Sequence, residues 1–405
     1  MDESLTQVVE RQLKKTYEEG GIAACQQLIQ SQLTEWQGMP MNIAVTGLAG
    51  AGKSSLINAF LGLTEDVGGA RVSSSQGTST IEQYNHPDNE NLIFSDLPGV
   101  ATPDFPQKSY MDDIDADKYD FFILVTSKRF LEIDVWLSKE LTKRNKGYFF
   151  VRTHMANDVA NDKRAHPQRK EHEIVAEIRE GTQAQLGRLW TTSPTNLRVF
   201  LIDSYELDNY DFSDLQQQLI ANFPKLKKEA LLLTLRTRNA AMIDQKAECL
   251  RSRVWKAAAV SGGVAAVPIP GTSFVADITI LVHETKFYFQ QFGLDPQSLE
   301  RLAQTTGAQF SELNAAAMQA FGVEILSLSP LNLFKFISTL GISLALFQAE
   351  SVMEVAVSAI PIVGTVLAST MSFLTTAWLL GEIIRKMHIV AKEIYDTATV
   401  QKCTA

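Results

Sequence analysis

The sequence predicts a doubly wound α/β domain with a mainly parallel sheet, followed by an all-α region. Short apolar runs alternate with helical patterns between residues 41 and 223, which is typical of a parallel sheet covered on both faces. After Pro224 the strand pattern stops, and Ala- and Leu-rich helical sequence continues to residue 405. A glycine-rich loop after the first strand predicts a ligand site at the carboxyl edge of the sheet.

These patterns divide the chain into three segments. Residues 1–40 are predicted to be N-terminal helices, with an interruption at Gly20-Gly21. Because they precede the first strand, we expect them to pack on the helices at the other end of the chain. Residues 41–223 are the predicted α/β domain, and residues 224–405 are the predicted C-terminal helical domain.

Five apolar runs are the candidate strands of the sheet, and helical patterns lie between them. The predicted strands are 42–46, 91–95, 121–125, 148–151 and 199–202, and the predicted helices include 134–145 and 170–187.

Composition excludes several classes of protein. An apolar content of 45% with 20% charged residues describes a globular chain that can bury a core. The net charge of −9 argues against a nucleic-acid partner. The three cysteines lie far apart and the six histidines are scattered, so we expect a reducing compartment and no metal site built from histidine. The polar start, Met1 to Ser4, lacks the pattern of a signal peptide.

The stretch from Gly47 to Ser55 matches the phosphate-binding loop pattern G-x-x-x-x-G-K-[ST]. Glycines let the backbone turn its N–H groups toward an oxyanion, and the N-terminus of the following helix adds the positive end of a dipole. Lys53 is predicted to reach the β- and γ-phosphates as a catalytic residue, and the Ser54 hydroxyl to ligate Mg²⁺. The predicted nucleotide contacts of this loop are Gly47, Gly50, Ala51, Gly52, Lys53, Ser54 and Ser55.

A D-x-x-G element, Asp96 to Gly99, follows the predicted strand at 91–95. In such elements the Asp meets Mg²⁺ through water and the Gly N–H contacts the γ-phosphate. The polar run 73–80 between the two motifs is predicted to be a switch loop. Its Thr78 is the candidate that completes the Mg²⁺ shell and positions the attacking water, with Thr80 as the alternative; a solvated linker is the other interpretation of this run.

The base-recognition element departs from the expected [NT]-K-x-D pattern. At that place His154 holds the Lys position and Ala156 the Asp position. Alanine cannot accept a hydrogen bond, so the main contact that discriminates guanine is lost and the base preference is left open. Asp158, two residues on, is an alternative acceptor. The predicted nucleotide contacts on this side are Thr153, His154 and Ser204, the last through its N–H to guanine O6.

Together these motifs resemble the immunity-related GTPases, the interferon-inducible, dynamin-like p47 class. Further segments carry the resemblance, and with the motifs they cover most of residues 41–305. The segments are 47–55, 84–87, 96–99, 120–130, 150–153, 210–212, 266–271, 292–295, 298–299 and 301–303.

The resemblance implies a Ras-like P-loop GTPase domain and an all-α helical domain built from both chain termini. It implies Mg²⁺ as cofactor, GTP and GDP as ligands, and a nucleotide-dependent homodimer or oligomer. Members of this family act on intracellular membranes, particularly pathogen-containing vacuoles, so we expect a cytoplasmic protein with peripheral membrane contact. Lys53 in the G-K-S form places the chain with the effector-like members.

Four features depart from the family pattern. The first is the pair His154 and Ala156. Leu48 stands where many relatives carry Glu, and Asp2 replaces the glycine that N-myristoylation requires. Val100 stands where Ras has a Gln after the D-x-x-G element, which predicts slow intrinsic hydrolysis.

Two other functions are compatible with the sequence. The first is a pseudo-GTPase or nucleotide-binding scaffold that acts through its helical domain, which Ala156 favours. The second is a membrane-structural protein, because the run 355–381 carries no formal charge and is long enough to span a bilayer. That run contains Pro361 and Gly364, and we interpret it as a buried hairpin of the helical domain.

Overall fold

The computed structural model of this protein contains two compact units. One is formed by residues 36–235, and the other by residues 1–35 together with 236–405. The structure describes residues 34–72, 80–100, 102, 104–189, 198–237, 239–265, 272–322 and 363–404, together with single positions between 15 and 31 and between 324 and 337. The domain boundaries predicted after residues 40 and 223 stay predictions, because a division into compact units does not test which segments fold independently.

The first unit is built around a mainly parallel sheet. Within the described residues the sheet has the order β2-β3-β1-β4-β5-β6, with β2 antiparallel to β3 and the other neighbours parallel. The strands are β1 Met41–Gly47, β2 Glu82–His86, β3 Asn89–Asp96, β4 Phe121–Thr126, β5 Gly147–Arg152 and β6 Val199–Leu201.

Helices connect these strands and form the second unit. Those of the first unit are α1 Lys53–Leu61, α2 Tyr110–Asp113, α3 Glu132–Lys143, α4 Met155–Ala165, α5 Glu171–Leu189, α6 Phe212–Asn222 and α7 Lys225–Thr234. Those of the second unit, in its described part, are α8 Ala240–Ala265, α9 Thr272–Gln291, α10 Pro296–Thr306, α11 Phe310–Phe321 and α12 Val363–Thr404. The predicted fold class, a P-loop α/β domain with a Ras-like, mainly parallel sheet plus helices, is confirmed.

The central strands explain why the sequence predicts this sheet. All six residues of β4 are buried, as are six of the seven in β1, because helices cover both faces. A strand covered on both faces needs apolar side chains at consecutive positions rather than at alternate ones. Each of the five predicted strands therefore coincides with an observed strand.

Two elements of the first unit escape the sequence patterns. The edge strand β2 has the polar sequence Glu-Gln-Tyr-Asn-His, in which only His86 is fully buried. Helix α4 is equally polar, and only Met155 and Val159 are buried in it. Elements that bury so little apolar surface leave a weak periodic signal.

The second unit contains ion pairs between its helices. The Arg253 guanidinium on α8 makes two 2.9 Å hydrogen bonds to the Glu284 carboxylate on α9, and both side chains are buried. On the outside, Asp244 of α8 accepts from His388 (2.6 Å) and Lys392 (3.1 Å) of α12. The two long helices α8 and α12 are therefore held side by side.

The charge-free run 355–381 lies only partly in the described structure. Residues 355–362 are outside the described residues, and residues 363–381 belong to α12. The hairpin predicted for this run thus stays a prediction. Among the described helices none is long and apolar enough to cross a membrane.

Asp134 in the first turn of α3 makes stability depend on pH. Its carboxylate accepts the Leu131 N–H at 2.9 Å, and burial raises its pKa from 3.8 to about 6 despite that bond. Between these two values the folded chain holds a proton that the unfolded chain has released, so the free energy of unfolding falls as pH rises.

We predict that Asp134→Asn removes this pH dependence. The amide oxygen keeps the bond to Leu131, and the cost of burying a charge disappears, so the free energy of unfolding at pH 7 rises by up to about 3 kcal/mol. Denaturant unfolding at pH 4 to 7 measures it. Asp112→Asn is the control, because Asp112 is an exposed partner of Arg144. Equal pH slopes between pH 4 and 6 in the Asp134 variant and the parent would contradict the prediction.

Candidate functional site

The loop between β1 and α1 has the backbone conformation that only glycine adopts easily. Gly50 and Gly52 have φ values of 73° and 85°, and Gly47 has φ 154°. A Cβ at Gly47 would lie 2.1 Å from the carbonyl oxygen of Val125 on β4. Gly52 is the N-cap of α1 and supplies no side-chain cap, so the first N–H groups of this helix remain available to an anion.

Lys53 is the first residue of α1 and directly follows this loop. Its side chain is 5% exposed, and Nζ donates to the carbonyl oxygen of Leu48 at 3.3 Å. Burial lowers the pKa of Lys53, while the nearby Asp96 carboxylate acts in the opposite direction. A bound phosphate would add negative charge beside this buried ammonium and favour its charged form.

Ser54 and Asp96 meet at the end of β3. The Ser54 hydroxyl donates to Asp96 Oδ2 at 2.5 Å, and Asp96 is 2% exposed. The next residue, Leu97, donates its N–H to Val45 of β1 at 2.9 Å, which holds Asp96 beside the loop. A hydroxyl and a carboxylate that converge in this way are the hard oxygen donors that Mg²⁺ prefers, so these residues fit that cation.

The D-x-x-G element passes directly over the loop. A Cβ at Gly99 would lie 3.2 Å from the carbonyl oxygen of Gly47. Tyr110, at the start of α2, is fully buried and donates its phenol hydrogen to Pro98 at 2.8 Å. The phenol oxygen of Tyr110 is also 2.8 Å from the hydroxyl of Thr46 in β1. Burial raises the pKa of Tyr110, so its hydroxyl stays protonated and joins the two segments.

Thr153 follows β5 and braces the loop from the other side. Its hydroxyl donates to the carbonyl oxygens of Ala51 (2.7 Å) and Thr126 (3.2 Å), and it is 1% exposed. The sequence predicts Thr153 as a nucleotide contact, whereas the structure turns its hydroxyl toward the main chain of the loop. Its side chain therefore positions Ala51, and any contact with nucleotide stays a prediction.

His154 lies next to the loop and begins α4. It has φ 60° and is the N-cap of that helix. A Cβ at Gly52 would lie 3.4 Å from His154 Nε2, so the imidazole packs against the loop. The alternative acceptor, Asp158, is 2.6 Å from Arg152 in an ion pair, so its carboxylate already has a charged partner.

The loop after β6 completes this side of the site. Asp203 is 5% exposed and accepts from the N–H groups of Ala156 (3.1 Å) and Tyr205 (3.0 Å). The Ser204 hydroxyl oxygen is buried, with no hydrogen-bond partner among the described residues. The Tyr205 ring is 78% exposed, and its hydroxyl lies 3.4 Å from the hydroxyl of Ser55.

The structure brings most of the predicted site residues to one edge of the sheet. Thr78 lies outside the described residues, so its predicted catalytic and metal-binding roles stay predictions. The alternative, Thr80, is exposed just before β2. In the described part of the chain, no group of three or more His, Cys, Asp or Glu side chains is arranged to hold a metal ion.

Comparison with known proteins decides the family. A family model described as Interferon-inducible GTPase (IIGP) matches residues 6–326. Interferon-inducible GTPase 5 of Rattus norvegicus is 30% identical over 387 residues, which cover 94% of this chain and 81% of the relative. The chain belongs to the interferon-inducible GTPase family.

A second relative agrees with this assignment. Interferon-gamma-inducible GTPase 10 of Mus musculus is 31% identical to this interferon-inducible GTPase over 304 residues, covering 75% of this chain and 72% of the relative. The solved structure of NFeoB from S. thermophilus bound to GDP and AlF4⁻ covers 71% of this chain and 94% of its own at 16% identity, but its TM-score of 0.29 is too low to support an argument. The predicted resemblance to immunity-related GTPases and the predicted enzyme class are confirmed by the family.

Two residues of the site in this interferon-inducible GTPase escape the sequence motifs. Tyr110 lies in a stretch without clear periodicity, and no motif marks a hydroxyl that bonds across 64 positions. Asp203 stands next to a predicted contact, Ser204, but its distance from Ala156 cannot be read from the chain. A carboxylate directly after a predicted strand is the one signal that pointed toward it.

We predict that Tyr110→Phe slows GTP turnover more than it weakens GDP binding. The variant leaves the Pro98 carbonyl and the Thr46 hydroxyl without their shared partner, which costs about 1–3 kcal/mol of stability. The D-x-x-G segment loses its anchor, and this segment faces the γ-phosphate. We expect several-fold slower phosphate release. GDP affinity and denaturant unfolding are measured on the same variant, to separate turnover from binding and stability.

Tyr119→Phe is the matched control. Tyr119 is also buried, but its hydroxyl has no hydrogen-bond partner among the described residues. Removing that oxygen should leave turnover unchanged and stability equal or higher. The anchoring role of Tyr110 is wrong if both variants turn over GTP like the parent.

Proposed function

We propose that this chain is a Mg²⁺-dependent GTPase that binds and slowly hydrolyses GTP, dimerises or oligomerises with nucleotide, and acts at intracellular membranes. The observation that carries the nucleotide part is the 2.5 Å contact between Ser54 and Asp96 beside the buried ammonium of Lys53. Three polar side chains from two motifs, the glycine-rich loop motif and the D-x-x-G element, lie together where a triphosphate and its cation need them. Membership of the interferon-inducible GTPases supports the same activity.

The mechanism relies on positioning and on charge. Main-chain N–H groups of the glycine loop and of the first turn of α1 bind the phosphate oxygens. Lys53 places its ammonium against the β- and γ-phosphates, and Gly99 offers its N–H to the γ-phosphate. Ser54 and Asp96 are the residues that would hold Mg²⁺, and the cation would neutralise charge on the phosphates. Thr78 is proposed to orient the attacking water.

Slow hydrolysis is part of this proposal. Val100 follows Gly99 and is 9% exposed. A valine side chain has no polar atom with which to orient water, so this position lacks the group that Ras uses for this step. Faster turnover therefore requires a contribution from outside this site, such as a second copy of the chain.

A second candidate function is a nucleotide-binding scaffold that does not hydrolyse GTP. Ala156 in the base-recognition element is the observation that favours it. Calorimetry with GTP, GDP, ATP and ADP, combined with a phosphate-release assay, separates the two functions, since only the GTPase couples binding to turnover.

The oligomer and the membrane contact rest on the family resemblance. Specific activity that rises with protein concentration supports assembly, and co-sedimentation with liposomes in the presence of GTP supports membrane contact. Neither measurement depends on the base preference, so each part of the proposal can fail separately.

We predict that Lys53→Ala lowers GTP turnover by at least about 100-fold, because a preorganised charge at the transferring phosphoryl group is lost. Steady-state phosphate release at several protein concentrations measures it. Lys143→Ala is the control, since Lys143 is exposed and pairs only with the neighbouring Glu140 among the described residues. If the parent protein releases no phosphate at any concentration, the scaffold function replaces the GTPase.

We also predict that removal of Mg²⁺ with EDTA stops phosphate release. Ser54→Ala should raise the Mg²⁺ concentration needed for half-maximal turnover, because one of two converging oxygen donors is lost. Ser138→Ala serves as the control, since its hydroxyl bonds the backbone of its own helix, far from the loop in sequence. Turnover of the parent that persists in excess EDTA would exclude the proposed metal dependence.

A further inference from the structure

The base side of the site lacks a carboxylate where the [NT]-K-x-D pattern places one. Guanine presents two donors on this edge, N1–H and the 2-amino group, and selective binding needs an acceptor for both. Ala156 has none, and the carboxylate of Asp158 is engaged by Arg152 at 2.6 Å. The acceptor must therefore come from another part of the chain if guanine is recognised at all.

A carboxylate from the next loop lies beside position 156. Asp203 Oδ2 accepts the Ala156 N–H at 3.1 Å. The two loops are joined at this point, because Met155 donates its N–H to the Ile202 carbonyl at 3.3 Å. They follow β5 and β6, which are adjacent parallel strands and end at the same edge of the sheet.

The hydrogen bonds of Asp203 leave acceptor capacity for a ligand. A carboxylate has about four acceptor positions. The N–H groups of Ala156 and Tyr205 each take one, on different oxygens. About two positions therefore remain, one on each oxygen, which is the number that N1–H and the 2-amino group of guanine require.

No cationic side chain in the described part of the chain forms an ion pair with Asp203. The side chain is 5% exposed, and it forms no ion pair with any described residue. A buried carboxylate without a cation needs donors instead, and the first turn of α4 supplies one of them. The methyl side chain of Ala156 is smaller than that of an aspartate and brings no second carboxylate next to Asp203.

We propose that Asp203 reads the guanine edge, so that the specificity carboxylate has moved from the loop after β5 to the loop after β6. This inference rests on the proposed function, because it needs a nucleotide bound in the glycine loop. The competing role is purely structural: Asp203 caps α4 and contacts no base. The two roles predict opposite effects for several ligands and variants.

Ligand selectivity of the unmodified chain provides the first test. Inosine diphosphate lacks the 2-amino group, so it should bind about 10- to 100-fold more weakly than GDP, the loss expected for one charge-assisted hydrogen bond. ADP, which presents a different edge, should bind more weakly still. Isothermal titration in Mg²⁺ buffer measures all three constants and requires no variant to fold.

Asp203→Asn provides the second test. The amide can accept N1–H and donate to the 2-oxo group of xanthine, so the ratio of xanthosine diphosphate affinity to GDP affinity should rise by at least about 10-fold. Glu206→Gln is the matched control, because it makes the same charge change in the same loop, where Glu206 is exposed and bonds Asn209. That control should leave the ratio unchanged.

Ala156→Asp gives results of opposite sign for the two roles. If Asp203 reads the base, a second carboxylate beside it repels the first and weakens GDP binding. If Asp203 only caps α4, the same change restores the aspartate of the usual pattern and strengthens GDP binding. The double variant Asp203→Ser with Ala156→Asp moves the carboxylate back and should recover the GDP preference over inosine diphosphate.

The outcomes separate this inference from the proposed function. Suppose that the unmodified chain binds GDP tightly and that Lys53→Ala abolishes this binding. Equal affinities of the unmodified chain for inosine diphosphate and GDP would then overturn the role of Asp203 but not the proposed function. Such a result overturns the role of Asp203 alone. So does stronger GDP binding by Ala156→Asp. No binding of any nucleotide by the unmodified chain overturns the proposed function and this inference together.

Discussion

The site depends on the close approach of β1 and β4 at the carboxyl edge of the sheet. There Gly47 lies so near the carbonyl of Val125 that a Cβ would be 2.1 Å away. The glycine is therefore required by packing as well as by its backbone conformation. Any larger residue at position 47 would displace the loop. Lys53 and Ser54, which begin the helix after the loop, would be displaced with it.

The loop is held by hydrogen bonds from its neighbours rather than by its own side chains. Thr153 bonds Ala51 from the β5 side, and Tyr110 joins Thr46 to Pro98 on the β3 side. Each of these hydroxyl groups is buried and contacts main-chain atoms. Such contacts fix the position of the phosphate-binding backbone before any ligand arrives, which is what electrostatic catalysis requires.

Burial of charge prepares the site for a polyanion and a cation. Lys53 and Asp96 are 5% and 2% exposed, and burial lowers the pKa of Lys53, which disfavours its charged form. A triphosphate offers negative charge to Lys53, and its divalent cation offers positive charge to Asp96. The same logic applies on the base side, where Asp203 is buried, forms no ion pair with any described residue, and is proposed to accept the donors of a base.

The sequence by itself determined the elements whose signals are local. Buried strands appear as apolar runs, and the glycine loop, the D-x-x-G element and the family resemblance can be read from consecutive residues, because burial patterns and backbone angles act over a few positions. The polar elements β2 and α4 gave no such signal.

Only the tertiary structure decided which side chains meet in the site. It paired Asp158 with Arg152, placed the Tyr110 hydroxyl between two motifs, and set Asp203 beside Ala156. The last two contacts join residues 64 and 47 positions apart. Such contacts depend on the order and direction of the strands in the folded sheet, and no local pattern encodes them.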